Sequence, residues 1–241
     1  MNCDVWWAGP GQAIDALLGL LDDRERERHG RFRVQADRDR YVVAHALARL
    51  TVARAAGCDP RDVAFTLRCR GCERRPDPRP EPHGKPRPAG TAEGLEISIS
   101  HSGARVVVAL ARGVEIGVDV EEVSGSRDID GLAEYALTDP ERADLAALPE
   151  ADRAAGFFGY WARKEALLKS TGDGLSGGLA NVAVNAPTEP AEVTAWNLPD
   201  APEHVWLTDL DAGPAYRAAL AALTPGPVAV TSHDGAQLLA L

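Results

Sequence analysis

Six prolines fall between Pro76 and Pro88, and this run divides the chain more sharply than any other feature. Proline fixes φ and has no N–H to donate, so neither a helix nor a central strand can run through such a stretch. The sequence therefore predicts an extended loop over residues 69–90. Helical patterns lie before it. Ile14 to Leu21 reads as a short apolar helix and Asp22 to Arg33 as a solvated, charged helix and turn. Gln35 to Ala56 reads as a long helix stopped by Gly57, with Tyr41, Val42, His45, Leu47, Ala48 and Val52 at helical spacing. Residues 3–8 and 63–68 read as strands.

Three strand-like segments follow the proline run: Leu95–Ser100, Arg105–Ala111 and Glu115–Glu121. The second is nearly all apolar, which predicts burial on both faces. Helices return over Asp128–Leu137 and over residues 150–170, the latter ending at Gly172. Between them Thr138 is placed as an N-cap, with Pro140 just inside and Glu141 at the third helical position. Residues 179–241 read as short strands broken by Pro and Gly. Each half thus runs from helices into strands. The expected class is α+β, arranged as two similar pseudo-symmetric lobes, residues 1–112 and 113–241.

The formal net charge of −10 excludes a surface that attracts nucleic acid or anionic lipid as a whole. No apolar run approaches the 18 or so residues of a membrane span, and no basic leader precedes the first strand. Four cysteines, Cys3, Cys58, Cys69 and Cys72, are too few for a disulfide scaffold in this length and fit a reducing, cytoplasmic setting. Only three lysines occur, Lys85, Lys164 and Lys169, in a chain whose other basic residues are arginine. All three fall in segments that stand out on other grounds.

In Gly117-Val118-Asp119-Val120-Glu121, strand alternation puts Asp119 and Glu121 on one face. Paired carboxylates repel unless a cation joins them, and hard oxygen ligands suit magnesium. The alternative is an edge strand with an exposed acidic face. In Trp161-Ala162-Arg163-Lys164-Glu165-Ala166-Leu167-Leu168-Lys169, residues Trp161, Glu165 and Lys169 share a helix face. As an exposed pair, Glu165 and Lys169 would contribute only about 0.3–0.5 kcal/mol. Ile97-Ser98-Ile99-Ser100-His101-Ser102-Gly103 ends a strand in hydroxyls and a histidine, groups that can grip phosphate oxygens or simply finish a strand.

The order SISHSG, GVDVE, WARKEALLKSTGDGL resembles the surfactin-type (Sfp-type) 4′-phosphopantetheinyl transferases, over about residues 22 to 185. The resemblance implies an enzyme that moves the phosphopantetheine arm of coenzyme A onto a serine of an apo acyl carrier or peptidyl carrier protein. The other product is adenosine 3′,5′-bisphosphate. It implies two similar α+β lobes with the active site between them, Mg2+ as cofactor and coenzyme A as substrate. By position, Asp119, Glu121 and Glu165 match the metal-binding acids, and Lys169 matches the lysine that reaches the diphosphate. Ser100 and His101 match the phosphate-contacting pair, with His101 favouring the 3′-phosphate. Gly84-Lys85-Pro86 matches the segment lining the nucleotide, Arg40 a 3′-phosphate ligand, and Arg28 a more variable basic position nearby.

Glu165 is then the expected base, with Lys169 and Asp119 beside it. Carriers of secondary metabolism are the expected targets of a monomer that binds neither nucleic acid nor membrane. Arg127–Leu137 is the candidate carrier-docking stretch, with an ordinary surface helix as its alternative. Two rival classes use the same features: a metal-dependent phosphohydrolase, and a nucleic-acid-binding module built on Cys69-Arg-Gly-Cys72 and the Arg-rich segments 24–40 and 68–79. Cys69, Cys72 and His83 could supply three of four zinc ligands, with Cys58 or Cys3 as the fourth, or stay free thiols.

Overall fold

The computed structural model describes residues 1–74, 83–125, 127–174 and 178–240. It is a mixed α+β protein with several small sheets. Two compact units separate. One comprises Met1–Leu67, Pro86–Val114 and Val228–Leu241, the other Arg68–Lys85 and Glu115–Pro227. Among the described residues no helix is long and apolar enough to cross a membrane.

The first unit is built on a four-stranded sheet. Strands β1 (Asn2–Ala8), β4 (Leu95–Ser102), β5 (Arg105–Arg112) and β11 (Ala229–Asp234) lie in the order β11-β1-β5-β4. β5 pairs antiparallel with both of its neighbours, and Val106 to Ala111 are all buried, as their apolar run predicts. β1 pairs in parallel with β11, joining the two ends of the chain. Helix α2 (Gln35–Ala56) packs on β4 and β5 through Val43, Ala46, Leu47 and Val52. It ends where predicted: Gly57 is left-handed (φ 70°) and its N–H donates to Ala53.

Two local expectations change. Ile14–Leu21 is not an α-helix but a 3-10 helix over Asp15–Leu20. The charged run before α2 does form helix α1 (Asp23–Arg31), yet it is not simply solvated. Glu25 turns inward, accepts from Arg49 Nε at 2.8 Å and sits 2.9 Å from His45 Nδ1. Arg49 and His45, on α2, are the partners that let a carboxylate be buried here. They hold Glu25 below the usual carboxylate range against the opposing effect of burial.

The second unit carries the sheet β6 (Ile116–Glu122), β10 (Tyr216–Ala222) and β9 (Trp206–Leu210), in the order β6-β10-β9. Helix α6 (Glu150–Thr171) lies across β6 and β10. Its core face, with Phe157, Phe158, Ala166 and Leu167, meets Ala219 and Ala221 of β10 within one apolar cluster. Helices α4 (Ile129–Ala136) and α5 (Asp139–Ala147) pack beside it. The predicted cap at Thr138 forms: Glu141 reaches back to the Thr138 N–H at 2.7 Å.

The stretch 69–90 is only partly irregular. Arg70–Glu73 form one helical turn, α3, and Lys85–Ala89 form β3, which pairs with β2 (Ala64–Arg68). Residues 75–82 of the expected loop, and 175–177 beyond Gly174, lie outside the described residues. β3 tolerates two prolines because it has a single neighbour. Pro86 and Pro88 alternate, so their missing N–H groups fall on one edge of the strand.

Candidate active site

The contact between β6 and α6 starts from a glycine. A Cβ on Gly117 would sit 2.0 Å from the Ala166 carbonyl oxygen and 2.3 Å from the Ser170 nitrogen. No other residue lets the helix backbone come this close to the strand. Gly117, Asp119 and Glu121 share a face by alternation, so the strand that admits the helix at Gly117 presents its carboxylates on the same side. β6 is an edge strand, but Asp119 is only 3% exposed, which overturns the alternative of a solvated acidic face there.

From the helix side come Glu165 and Lys169. Lys169 Nζ donates to Asp119 Oδ1 at 2.6 Å. Glu165 is 7% exposed, and the alternative of a solvated Glu165–Lys169 surface pair fails on that burial. Its Oε1 is buried without a hydrogen-bond partner. Leaving a buried carboxylate oxygen unsatisfied is costly, on the order of 1–3 kcal/mol or more. Burial pushes the Glu165 carboxyl up to about 7, with the charges of Asp119 and Glu121 adding to the rise and Lys169 opposing it. The Lys169 ammonium also lies above its ordinary value: burial alone would lower its pKa, but Asp119, Glu165 and Glu121 outweigh this.

The carboxylates of Asp119, Glu121 and Glu165 are hard oxygen donors, the kind a divalent cation such as magnesium takes. A carboxylate whose pKa is raised by burial and like charge, and which keeps an unsatisfied oxygen, lacks positive charge. Lys169 supplies part of that charge through Asp119. Its side chain is 26% exposed, so it can exchange Asp119 for another anion.

Other predicted residues occupy defined places. Lys85 is buried and donates to the Ser170 carbonyl at 3.0 Å, against the last turn of α6. The glycine before it is required: Gly84 has φ 108°, and a Cβ there would meet the Arg68 carbonyl at 2.2 Å. Lys164 is fully buried and bonds Glu141 and the Ala136 carbonyl, so it braces α5 against α6. Burial lowers its pKa despite Glu141.

In the first unit, Arg40 of α2 donates to the Gly103 carbonyl at 3.0 Å and pairs with Asp37. Gly103 opens the turn after β4, so Arg40 meets the strand end that carries Ser100 and His101. Ser100 is buried, while His101 and Arg28 are exposed. Pro86 is half-buried in β3. The Arg127–Leu137 stretch forms α4 with Ala133, Ala136 and Leu137 buried, Tyr135 exposed, and Arg127 over the Phe158 ring at 5.4 Å.

Gly117 and Gly84 were not singled out as spacers in the sequence. A glycine inside an apolar strand signals close backbone approach, and that signal would have found Gly117.

Residues 115–221, which include β6 and α6, match the model of the 4′-phosphopantetheinyl transferase superfamily. The chain is 30% identical over 193 residues to the 4′-phosphopantetheinyl transferase HetI of Nostoc sp., covering 78% of this chain and 76% of that one. It is 28% identical to a 4′-phosphopantetheinyl transferase of Bacillus subtilis, with 88% and 86% covered. It is also 26% identical to 4′-phosphopantetheinyl transferase Sfp of Bacillus subtilis (strain 168), again with 88% and 86% covered. The chain belongs to the 4′-phosphopantetheinyl transferase superfamily, with Sfp-type relatives along most of its length.

Proposed function

We propose that this protein transfers the 4′-phosphopantetheine arm of coenzyme A to a serine of an apo acyl carrier or peptidyl carrier protein, with Mg2+ held by Asp119, Glu121 and Glu165. The observation that carries the reading is Glu165: buried, near-neutral in pKa, one oxygen unsatisfied, beside two further acids and a lysine.

The serine oxygen forms a bond to the pantetheine-side phosphorus, and the bond from that phosphorus to the bridging oxygen breaks. Adenosine 3′,5′-bisphosphate leaves with the electron pair. When bound, the divalent ion neutralises charge on the diphosphate and the departing group. Glu165 is assigned as the base that accepts the serine proton. Lys169 swings from Asp119 to the diphosphate and stabilises the charge that develops there. Asp119 then keeps its metal-facing role. Lys85 and Pro86 line the nucleotide, and Ser100, His101, Arg40 and Arg28 are assigned to its phosphates. With this reading goes the proposal that residues 1–112 and 113–241 are the similar lobes of the family.

The test is to incubate the protein with coenzyme A, magnesium and an apo carrier domain and weigh the carrier. A gain of one phosphopantetheine group supports the reading, and chelation of the metal should abolish it. Consumption of coenzyme A without a carrier would show a phosphohydrolase instead. A Glu165→Ala variant that transfers at the full rate would overturn the site.

A further inference from the structure

Cys69, Cys72 and His83 form a second cluster, outside the carboxylate site. Among the described residues theirs is the His/Cys/Asp/Glu group whose ligand atoms all lie within 4.8 Å of one another. Cys72 is buried, and Cys69 and His83 are half-buried. The helical turn α3 makes the geometry: Cys72 N–H donates to the Cys69 carbonyl at 3.1 Å, which brings residues three apart to one side. His83 then returns from the far end of the proline run and places Nε2 at 2.9 Å from Cys72 Sγ.

We propose that these three side chains bind one zinc ion, with water completing the tetrahedron. Two thiolates and an imidazole are soft and borderline ligands that favour zinc over magnesium. Zinc bonds of about 2.3 Å to sulfur and about 2.0–2.1 Å to nitrogen separate neighbouring donors by about 3.6 Å. The Cys72–His83 pair reaches that separation by opening less than an ångström. Cys3 is not the missing ligand. Its thiol is buried in β1 and pushed up to about 12 by that burial, far from the thiolate a metal needs. Cys58 packs against the core of the first unit.

The need for such a bond follows from the chain between the ligands. Residues 73–82 contain four prolines, which have no backbone N–H to donate. A metal joining residues 69 and 72 to residue 83 fixes both ends. Those ends are already tied to the C-terminus of α6. Arg70 N–H donates to the Gly172 carbonyl at 3.1 Å, Arg74 pairs with Asp173 at 2.7 Å, and Lys85 donates to Ser170. The zinc is therefore a positioning element: it holds Gly84-Lys85 against the helix that carries Glu165 and Lys169.

The experiment uses the full chain, reduced, stripped with chelator and titrated with cobalt(II) as a spectroscopic substitute for zinc. One equivalent should bind with a thiolate-to-cobalt charge-transfer band and the visible bands of a tetrahedral site, and zinc should displace it. Cys72→Ser should remove most of the charge-transfer intensity. His83→Ala should weaken binding by at least the roughly 10–100-fold that loss of even an outer-shell partner costs. Glu165→Gln should leave the band intact, which separates this site from the carboxylates. If the Cys72 variant does not fold, alkylation of the wild-type chain decides: zinc should slow labelling of Cys69 and Cys72 but not of Cys58. The proposal is overturned by the absence of a charge-transfer band in the wild type, by an undiminished band in a folded Cys69→Ser/Cys72→Ser variant, or by equal labelling with and without zinc.

Discussion

Replacing Glu165 with glutamine should stabilise the metal-free protein above neutral pH and leave it unchanged in acid. The folded-state carboxyl titrates at about 7, against an ordinary value of 4.5, chiefly because it is buried. An acid whose folded pKa is raised holds a proton that the unfolded chain has already released. Between about pH 4.5 and 7 the native state therefore binds more protons, and stability falls as pH rises. Each pKa unit is worth about 1.36 kcal/mol, so the shift costs the wild type about 3 kcal/mol once pH exceeds 7. Glutamine keeps the shape and has no proton to lose. The difference between the two proteins should be small at pH 4 and grow to about 3 kcal/mol at pH 8. In a chain of this size that is about 6–12 °C in melting temperature. Comparing the two proteins at each pH cancels the titration of carboxylates that do not interact with Glu165. Magnesium provides the second arm. It should raise the melting temperature of the wild type at pH 8, by about 2.7 kcal/mol of stabilisation at a hundredfold excess over Kd, and do much less for the variant. Parallel curves for the two proteins from pH 4 to 8, or an equal response to magnesium, would refute the reasoning.

Three further outcomes follow from the contacts of α6, with a glycine of α1 as a control. Gly117→Ala should cost about 3 kcal/mol or more, the upper end of overpacking, because the clash is with helix backbone. Gly30→Ala, in open space in α1, should be neutral or slightly stabilising by urea denaturation. Lys164→Met should destabilise by about 3–5 kcal/mol by stranding Glu141, and adding Glu141→Gln should recover part of that. If Lys164→Met melts like the wild type, the brace is not structural. Lys169→Met should bind magnesium at least about tenfold tighter by calorimetry while losing transfer, since a unit charge at 4 Å is worth about 4 kcal/mol at an effective dielectric of 20. An unchanged affinity would show that Lys169 does not compete for Asp119.

Much of the carboxylate site is written in two local periods. The alternation that pairs Asp119 with Glu121 and the four-residue step that pairs Glu165 with Lys169 depend only on backbone geometry. What joins the two pairs is tertiary, and it leaves one trace in the sequence, Gly117. Lys164 and Lys169 look alike in sequence and end differently because the helix turns them to different neighbours, Glu141 and Asp119. Glu25 was unreadable for the same reason: its partners Arg49 and His45 lie on another helix, and local charge density alone predicts solvent. The parallel pairing of β1 with β11 spans nearly the whole chain and has no local signature. β3 was hidden by its own prolines, which matter in a central strand and are harmless in one with a single neighbour.

The fate of the three lysines shows how the site is held. Lys164 is spent inside the fold on Glu141, and Lys85 on the Ser170 carbonyl. Lys169 pairs with Asp119 and keeps a quarter of its side chain exposed; under the proposed function it leaves that partner for the diphosphate. All three contacts end on α6. Arg163 adds a fourth, fully buried and bonded to Asp209 on β9. Gly117 adds a fifth, by letting backbone meet backbone. These contacts fix the position of α6 beside β6. Under the proposed function, a cation held by these acids offsets the cost of the buried Glu165 oxygen. This is why loosening α6 at Lys164 should weaken magnesium binding as well as stability, although Lys164 touches neither the ion nor the substrate.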